Sequence, residues 1–214
     1  MRLSASLHAA DPLHLADAVA AVAPHVDSLH IDIMDGRFAP AFGFSENVVS
    51  RLISDGSPPI DVHLMVDEPE RWAARFARMG VRSVAFHIEA VRDAPALAAA
   101  IRTDGARAYV ALLPETEPST IARIAKAIDG VLLLTAPAGG GAFVDAAFER
   151  IARVPTGVPM IVDGRLQSGH FDALRAYGVE LAVVGSALFN DECAGERARQ
   201  LNMLASGRLA ASAK

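Results

Sequence analysis

Three short apolar runs carry imidazoles and carboxylates where an ordinary core strand would carry hydrocarbon. In His30-Ile31-Asp32-Ile33-Met34-Asp35-Gly36, period-two spacing puts His30, Asp32 and Met34 on one face of an extended chain and Ile31 and Ile33 on the other. Asp61-Val62-His63-Leu64-Met65 repeats the arrangement, with Asp61, His63 and Met65 sharing a face, and Ile161-Val162-Asp163-Gly164 ends on one more carboxylate. A charged aspartate in an apolar strand costs on the order of several kcal/mol unless it is paired or bound to a metal. The chain repeats that apparent error at Asp32, Asp61 and Asp163. Two imidazoles and two carboxylates converging would hold one divalent ion, with Zn, Fe(II), Mn or Co all suited to such ligands. Asp35, just before Gly36, suits a turn better than a ligand position.

Something must bring these runs to one place, and the chain supplies a repeating frame. Eight apolar runs read as strands: residues 3–7, 28–34, 60–66, 83–87, 106–113, 130–135, 160–163 and 181–185. Each is followed by helical spacing, as at Trp72, Phe76 and Met79 or at Val144, Ala147, Phe148 and Ile151. Asp11 and Pro12 suit the N-cap and first turn of the first helix, expected over residues 11–23. Eight strand-helix units in 214 residues predict a single (β/α)8 TIM barrel over residues 1–214, with 205–214 a flexible tail. An open doubly wound sheet uses the same alternation, so the placement of motifs must decide between them. In a barrel, polar groups at the C-terminal ends of strands face a common mouth.

Composition narrows the function classes. Hydrophobic residues make up 52% of the chain, enough for one sizeable core. Lys and Arg number 20 against 25 Asp and Glu, a formal charge of −5 with no basic runs, which argues against nucleic acid. The one cysteine, Cys193, excludes an intramolecular disulfide, and the N-terminus lacks a secretory signal. No apolar run approaches the roughly 20 residues of a membrane span. A cytoplasmic setting follows as the expectation.

Four segments carry a resemblance. Residues 30–38 (HIDIMDGRF), 61–66 (DVHLMV), 86–90 (FHIEA) and 184–189 (VGSALF) resemble, in order, the signature segments of the ribulose-phosphate 3-epimerase family. The resemblance implies a barrel of the ribulose-phosphate-binding type that inverts the carbinol carbon beside the ketone of a phosphorylated ketose, most simply D-ribulose 5-phosphate. It implies His30, Asp32, His63 and Asp163 as metal ligands, and Asp32 and Asp163 as the acid/base pair acting through a metal-stabilised enediolate. Inversion needs a base on one face and an acid on the other, which two carboxylates satisfy. Related decarboxylases carry Asp-x-Lys where this chain has Asp61-Val62-His63, so that chemistry is not implied. Met34 and Met65 match methionines that pack around the intermediate, and Ser6 matches a substrate-binding serine. Gly139, Gly140 and Gly141 after the sixth strand, with Gly185 and Ser186 after the eighth, suit phosphate binding. Members are commonly oligomers, and residues 38–44, with three aromatics and a proline, suit a lid or an interface.

The chain departs from the family pattern near the substrate. Residues 135–143 look shortened, Leu134 replaces a third methionine, Leu113 stands where asparagine is frequent, and Arg165 replaces a phosphate-binding glycine. A guanidinium there would engage a phosphate or a carboxylate. These changes keep two other readings open: an epimerase or isomerase of a different ketose phosphate, of allulose 6-phosphate type, and a non-catalytic sugar-phosphate-binding paralogue.

Overall fold

A computed structural model describes residues 1–190 and 193–208. Eight parallel strands close into a barrel in chain order: β1 (Arg2–Ser6), β2 (Ser28–Met34), β3 (Ile60–Met65), β4 (Ser83–His87), β5 (Arg107–Leu112), β6 (Gly130–Leu134), β7 (Met160–Asp163) and β8 (Leu181–Val184). Pairing of β1 with β8, Leu3 opposite Ala182 and Ala5 opposite Val184, completes the ring. That closure excludes the open sheet.

Alternation along each strand builds two cores. Leu29, Ile31 and Ile33 of β2 face outward and join Val62, Leu64, Val84, Phe86 and the helices in the larger one. Ala85, Tyr109, Ala111, Leu132, Leu134, Ile161, Leu181 and Val183 fill the lumen. The outer ring comprises α1 (Leu15–Val22), α2 (Glu46–Ser54), α3 (Glu70–Arg78), α4 (Ala94–Thr103), α5 (Ala147–Ile151), α6 (Phe171–Ala176), α7 (Ser186–Phe189) and α8 (Ala194–Ala205). On α3, Phe76 is fully buried, with Trp72 on the helix and Met79 at its end packed beside the core.

The ring is less regular than the periodicity predicts. After β5 the chain makes 3-10 turns at Pro118–Arg123 and Ala125–Ala127 in place of an α-helix. Asp11 does cap, accepting from the Leu13 amide at 2.9 Å, but it starts a 3-10 turn at Pro12–His14, with α1 beginning only at Leu15. Val144 lies ahead of the five-residue α5. At the C-terminus, Ala205 is buried in the last turn of α8, so the expected tail cannot begin there; residues 209–214 lie outside the described residues. Among the described residues no helix is long and apolar enough to cross a membrane.

Asp61 meets the expectation for a buried aspartate by pairing and not by holding a metal. It is buried near the N-terminal end of β3, where Arg82, just before β4, donates to it from Nε at 2.8 Å and from Nη2. The Ser83 hydroxyl adds a bond at 2.6 Å, and Arg82 also reaches Ser28 Oγ at 2.9 Å. This carboxylate is therefore neutralised by a guanidinium at the floor of the barrel, two residues below His63, and is no part of the metal cluster.

Candidate active site and metal centre

At the C-terminal ends of β2, β3 and β7, four side chains converge. Candidate ligand atoms of His30, Asp32, His63 and Asp163 all lie within 4.8 Å of one another. His30 Nε2 stands 3.3 Å from Asp32 Oδ1 and 3.5 Å from Asp163 Oδ2, and His63 Nδ1 repeats those two distances. Both imidazoles are essentially buried, and the Asp163 side chain is only 14% exposed.

None of these approaches makes a good hydrogen bond. Both His30 ring nitrogens, Asp32 Oδ1 and His63 Nδ1 are buried without a partner, an arrangement that native interiors rarely tolerate. Lone pairs and carboxylate oxygens aimed at one point fit a divalent cation, and the imidazole/carboxylate set suits Zn, Fe(II), Mn or Co alike. The electrostatics describe a pocket that draws positive charge. Burial alone would lower the His30 pKa, but the Asp32 and Asp163 charges outweigh it and raise it well above the ordinary range. His63 is raised against its burial by the same two carboxylates beside its Nδ1. Burial would raise Asp32 and Asp163, yet the histidines hold both below the usual carboxylate range.

The model of the ribulose-phosphate 3-epimerase family matches residues 2–189. The chain belongs to the ribulose-phosphate 3-epimerase family. It is an epimerase, an isomerase-class enzyme acting on carbohydrates. A protein of Mycobacterium leprae named ribulose-phosphate 3-epimerase is 33% identical over 196 residues, covering 87% of each chain. One of the same name from Aquifex aeolicus is 28% identical over 187 residues, covering 83% of this chain and 84% of its own. Among solved structures, KGPDC from Streptococcus mutans aligns at TM-score 0.74 and 14% identity, covering 96% of this chain and 97% of that one. The 3-hexulose-6-phosphate synthase of Salmonella typhimurium aligns at TM-score 0.73 and 16% identity, covering 98% of this chain and all of its own. At those identities the solved structures establish the fold alone.

A cavity of about 350 Å³ opens beside the four-residue cluster. Ser6, Asp32, Met34, Met65, Gly139, Gly140, Asp163, Arg165, Gly185 and Ser186 all line it, so the expected site residues gather at one mouth. His30 and His63 reach the cluster from outside the lining, and Gly141 also lies outside it; a Cβ on Gly141 would strike the Pro137 ring at 2.8 Å. The cavity wall also holds Ala136, Pro137 and Ala138 of the 135–143 loop, together with His8 and Asn190, which no motif announced. Ser6 Oγ donates to Asp32 Oδ2 at 3.1 Å, orienting that carboxylate. Thr135 accomplishes the same for Asp163 through the backbone, donating from its amide at 2.7 Å and its hydroxyl at 3.0 Å to the Asp163 carbonyl.

The epimerase's loop after β2 folds over this mouth. Asp35 is the expected turn residue: its Oδ1 accepts from the Arg37 and Phe38 amides and its Oδ2 from the Asp67 amide, at 2.9 to 3.0 Å. Gly43 and Phe44 donate back to the Met34 and Asp32 carbonyls at 3.2 and 2.9 Å. Ala39 is buried with Met34 and Met65, and a Cβ on Gly139 would sit 3.3 Å from Pro40, so the loops after β2 and β6 meet over the site.

Proposed function

We propose that this epimerase inverts C3 of a phosphorylated ketose, with D-ribulose 5-phosphate as the leading substrate. His30, Asp32, His63 and Asp163 would hold one divalent ion. When bound, such an ion stabilises the negative charge that builds on the two oxygens of an enediolate. The observation that carries the reading is the placement of two carboxylates, on β2 and β7, beside one cavity and one metal cluster. One carboxylate takes the C3 proton while the other, carrying a proton, delivers it to the opposite face; the reverse reaction exchanges the roles. Ser6 keeps Asp32 in register, and Met34 and Met65 present soft apolar surface that excludes water from the reacting carbon.

The anionic end of the substrate is assigned to the loops carrying Gly139, Gly140, Arg165, Gly185 and Ser186. Arg165 is the one non-glycine with positive φ among the described residues, at 54°. A side chain held in that strained region at a cavity wall suits a ligand contact, and its guanidinium matches a phosphate. Arg165 and Leu134 on this wall keep a hexulose 6-phosphate as the second substrate reading. The test is a panel of pentulose and hexulose phosphates with metal-reconstituted protein, read by NMR for inversion at C3. Turnover of ribulose 5-phosphate supports the primary reading, turnover of only a hexulose phosphate reassigns the substrate, and no turnover of any of them overturns C3 inversion of a phosphorylated ketose.

A further inference from the structure

Behind the metal cluster a line of polar groups that the proton-transfer chemistry does not use runs from the buried His63 and His87 out to Glu89 at the surface. His63 Nε2 sits 3.0 Å from His87 Nε2, with the two rings stacked at 5.0 Å. His87 Nδ1 sits 3.1 Å from Glu89 Oε2. Glu89 Oε1 accepts from the Leu113 amide at 2.9 Å and from the Thr116 hydroxyl. Phe38 covers His87 at 4.6 Å between ring centroids.

Donors and acceptors along this line are determined by what each group can do. Burial would raise the Glu89 pKa, but its hydrogen bonds from His87, Thr116 and Leu113 hold it below the usual range, so the carboxylate is ionised and can only accept. His87 must then carry its proton on Nδ1. With Nδ1 donating to Glu89, the fully buried His87 ring turns its Nε2 lone pair toward His63. Two Nε2 atoms 3.0 Å apart share one proton, which therefore belongs to His63. With Nε2 protonated, His63 turns Nδ1 toward Asp32 and Asp163, where it has no hydrogen-bond partner.

We propose that Glu89 is a positioning residue for the metal centre: through His87 it holds the proton of His63 on Nε2, so that Nδ1 presents a lone pair to the ion. The inference rests on His30, Asp32, His63 and Asp163 being the metal ligands. Outer groups of this kind set the tautomer and orientation of a ligating imidazole.

The geometry makes Glu89→Gln a reversal and not merely a loss. The Leu113 amide keeps the glutamine carbonyl on its own side, leaving the NH2 group to face His87 Nδ1. His87 then shifts its proton to Nε2, His63 accepts there, and a proton on His63 Nδ1 points into the ligand cluster. Thr116→Val removes one hydroxyl from Oε1 and leaves the relay intact.

The experiment measures Zn(II) affinity by chelator competition, together with long-range proton–nitrogen NMR of the histidine rings in the full chain. We expect wild type to bind Zn(II) with His87 protonated on Nδ1 and His63 on Nε2. Glu89→Gln should bind about 10- to 100-fold more weakly and move the His87 proton to Nε2, while Thr116→Val keeps both affinity and proton positions. Unchanged affinity in Glu89→Gln with the proton still on Nδ1 overturns the relay alone. Weaker binding without a proton shift, or an equal loss in Thr116→Val, assigns Glu89 a structural role only. Wild type that holds no Zn(II) removes the ligand set itself, and the relay with it.

Discussion

Replacing Arg82 with leucine tests the division between the barrel floor and its mouth. Arg82 supplies two of the three side-chain hydrogen bonds to the buried Asp61 carboxylate, and its removal leaves only the Ser83 hydroxyl. Stripping the partner from a buried ion pair costs about 3–5 kcal/mol, because the remaining charge stays desolvated. For a domain of this size about 2–4 °C of melting temperature is lost per kcal/mol, so Arg82→Leu should melt about 6–20 °C lower. Adding Asp61→Asn removes the stranded charge and should recover about 1 kcal/mol or more. Urea titration and thermal melts of the ion-free protein measure both, and Zn(II) affinity measured well below the melt should change by no more than about threefold. A loss under about 1 kcal/mol would refute the paired-charge account of Asp61. A tenfold fall in Zn(II) affinity would show that Asp61 acts on the metal ligands after all.

Three further outcomes are expected. Gly43→Ala places a Cβ 2.2 Å from the Asp32 carbonyl oxygen and 2.6 Å from the Met34 nitrogen; relieving it breaks two backbone hydrogen bonds, a loss of about 1–3 kcal/mol that urea titration would detect, with weaker Zn(II) binding. Arg165→Ala should raise KM for the active ketose phosphate at least about tenfold, the scale of one charge-assisted contact, with kcat nearly retained; an unchanged KM would put Arg165 outside the phosphate site. Asp35 is held below its ordinary pKa because three backbone amides outweigh its burial, so its contribution is present above the unfolded value of about 3.9 and disappears as pH falls through the folded one. Asp35→Asn should therefore flatten the loss of stability below about pH 4, and an unchanged slope would show that this carboxylate does not hold the loop.

Sequence periodicity was most legible where burial is one-sided. On β2, the two-residue repeat separated outward isoleucines from inward His30, Asp32 and Met34, and the barrel preserves that division. It could not separate Asp61 from Asp32, since both are buried carboxylates on inward faces; the distinction lies in Arg82, which only the pairing of β3 with β4 brings within reach. The relay from Glu89 to His63 was equally opaque, although its residues sit in a recognisable segment, because it depends on ring rotations across two neighbouring strands. Helix periodicity overreached after β5, where Pro118 opens a 3-10 turn, and in residues 144–151, where the apolar spacing outlasts the helix. Gly141 shows the limit of composition: three consecutive glycines look equivalent, but only two of them line the cavity.

The central claim, two carboxylates exchanging a proton at one carbon, is tested most directly by turnover in deuterium oxide. With metal-reconstituted protein and ribulose 5-phosphate, followed by NMR, the account predicts inversion accompanied by deuterium at C3 and nowhere else. Inversion without deuterium at C3, or deuterium appearing at C1, would contradict proton transfer by Asp32 and Asp163 at that carbon.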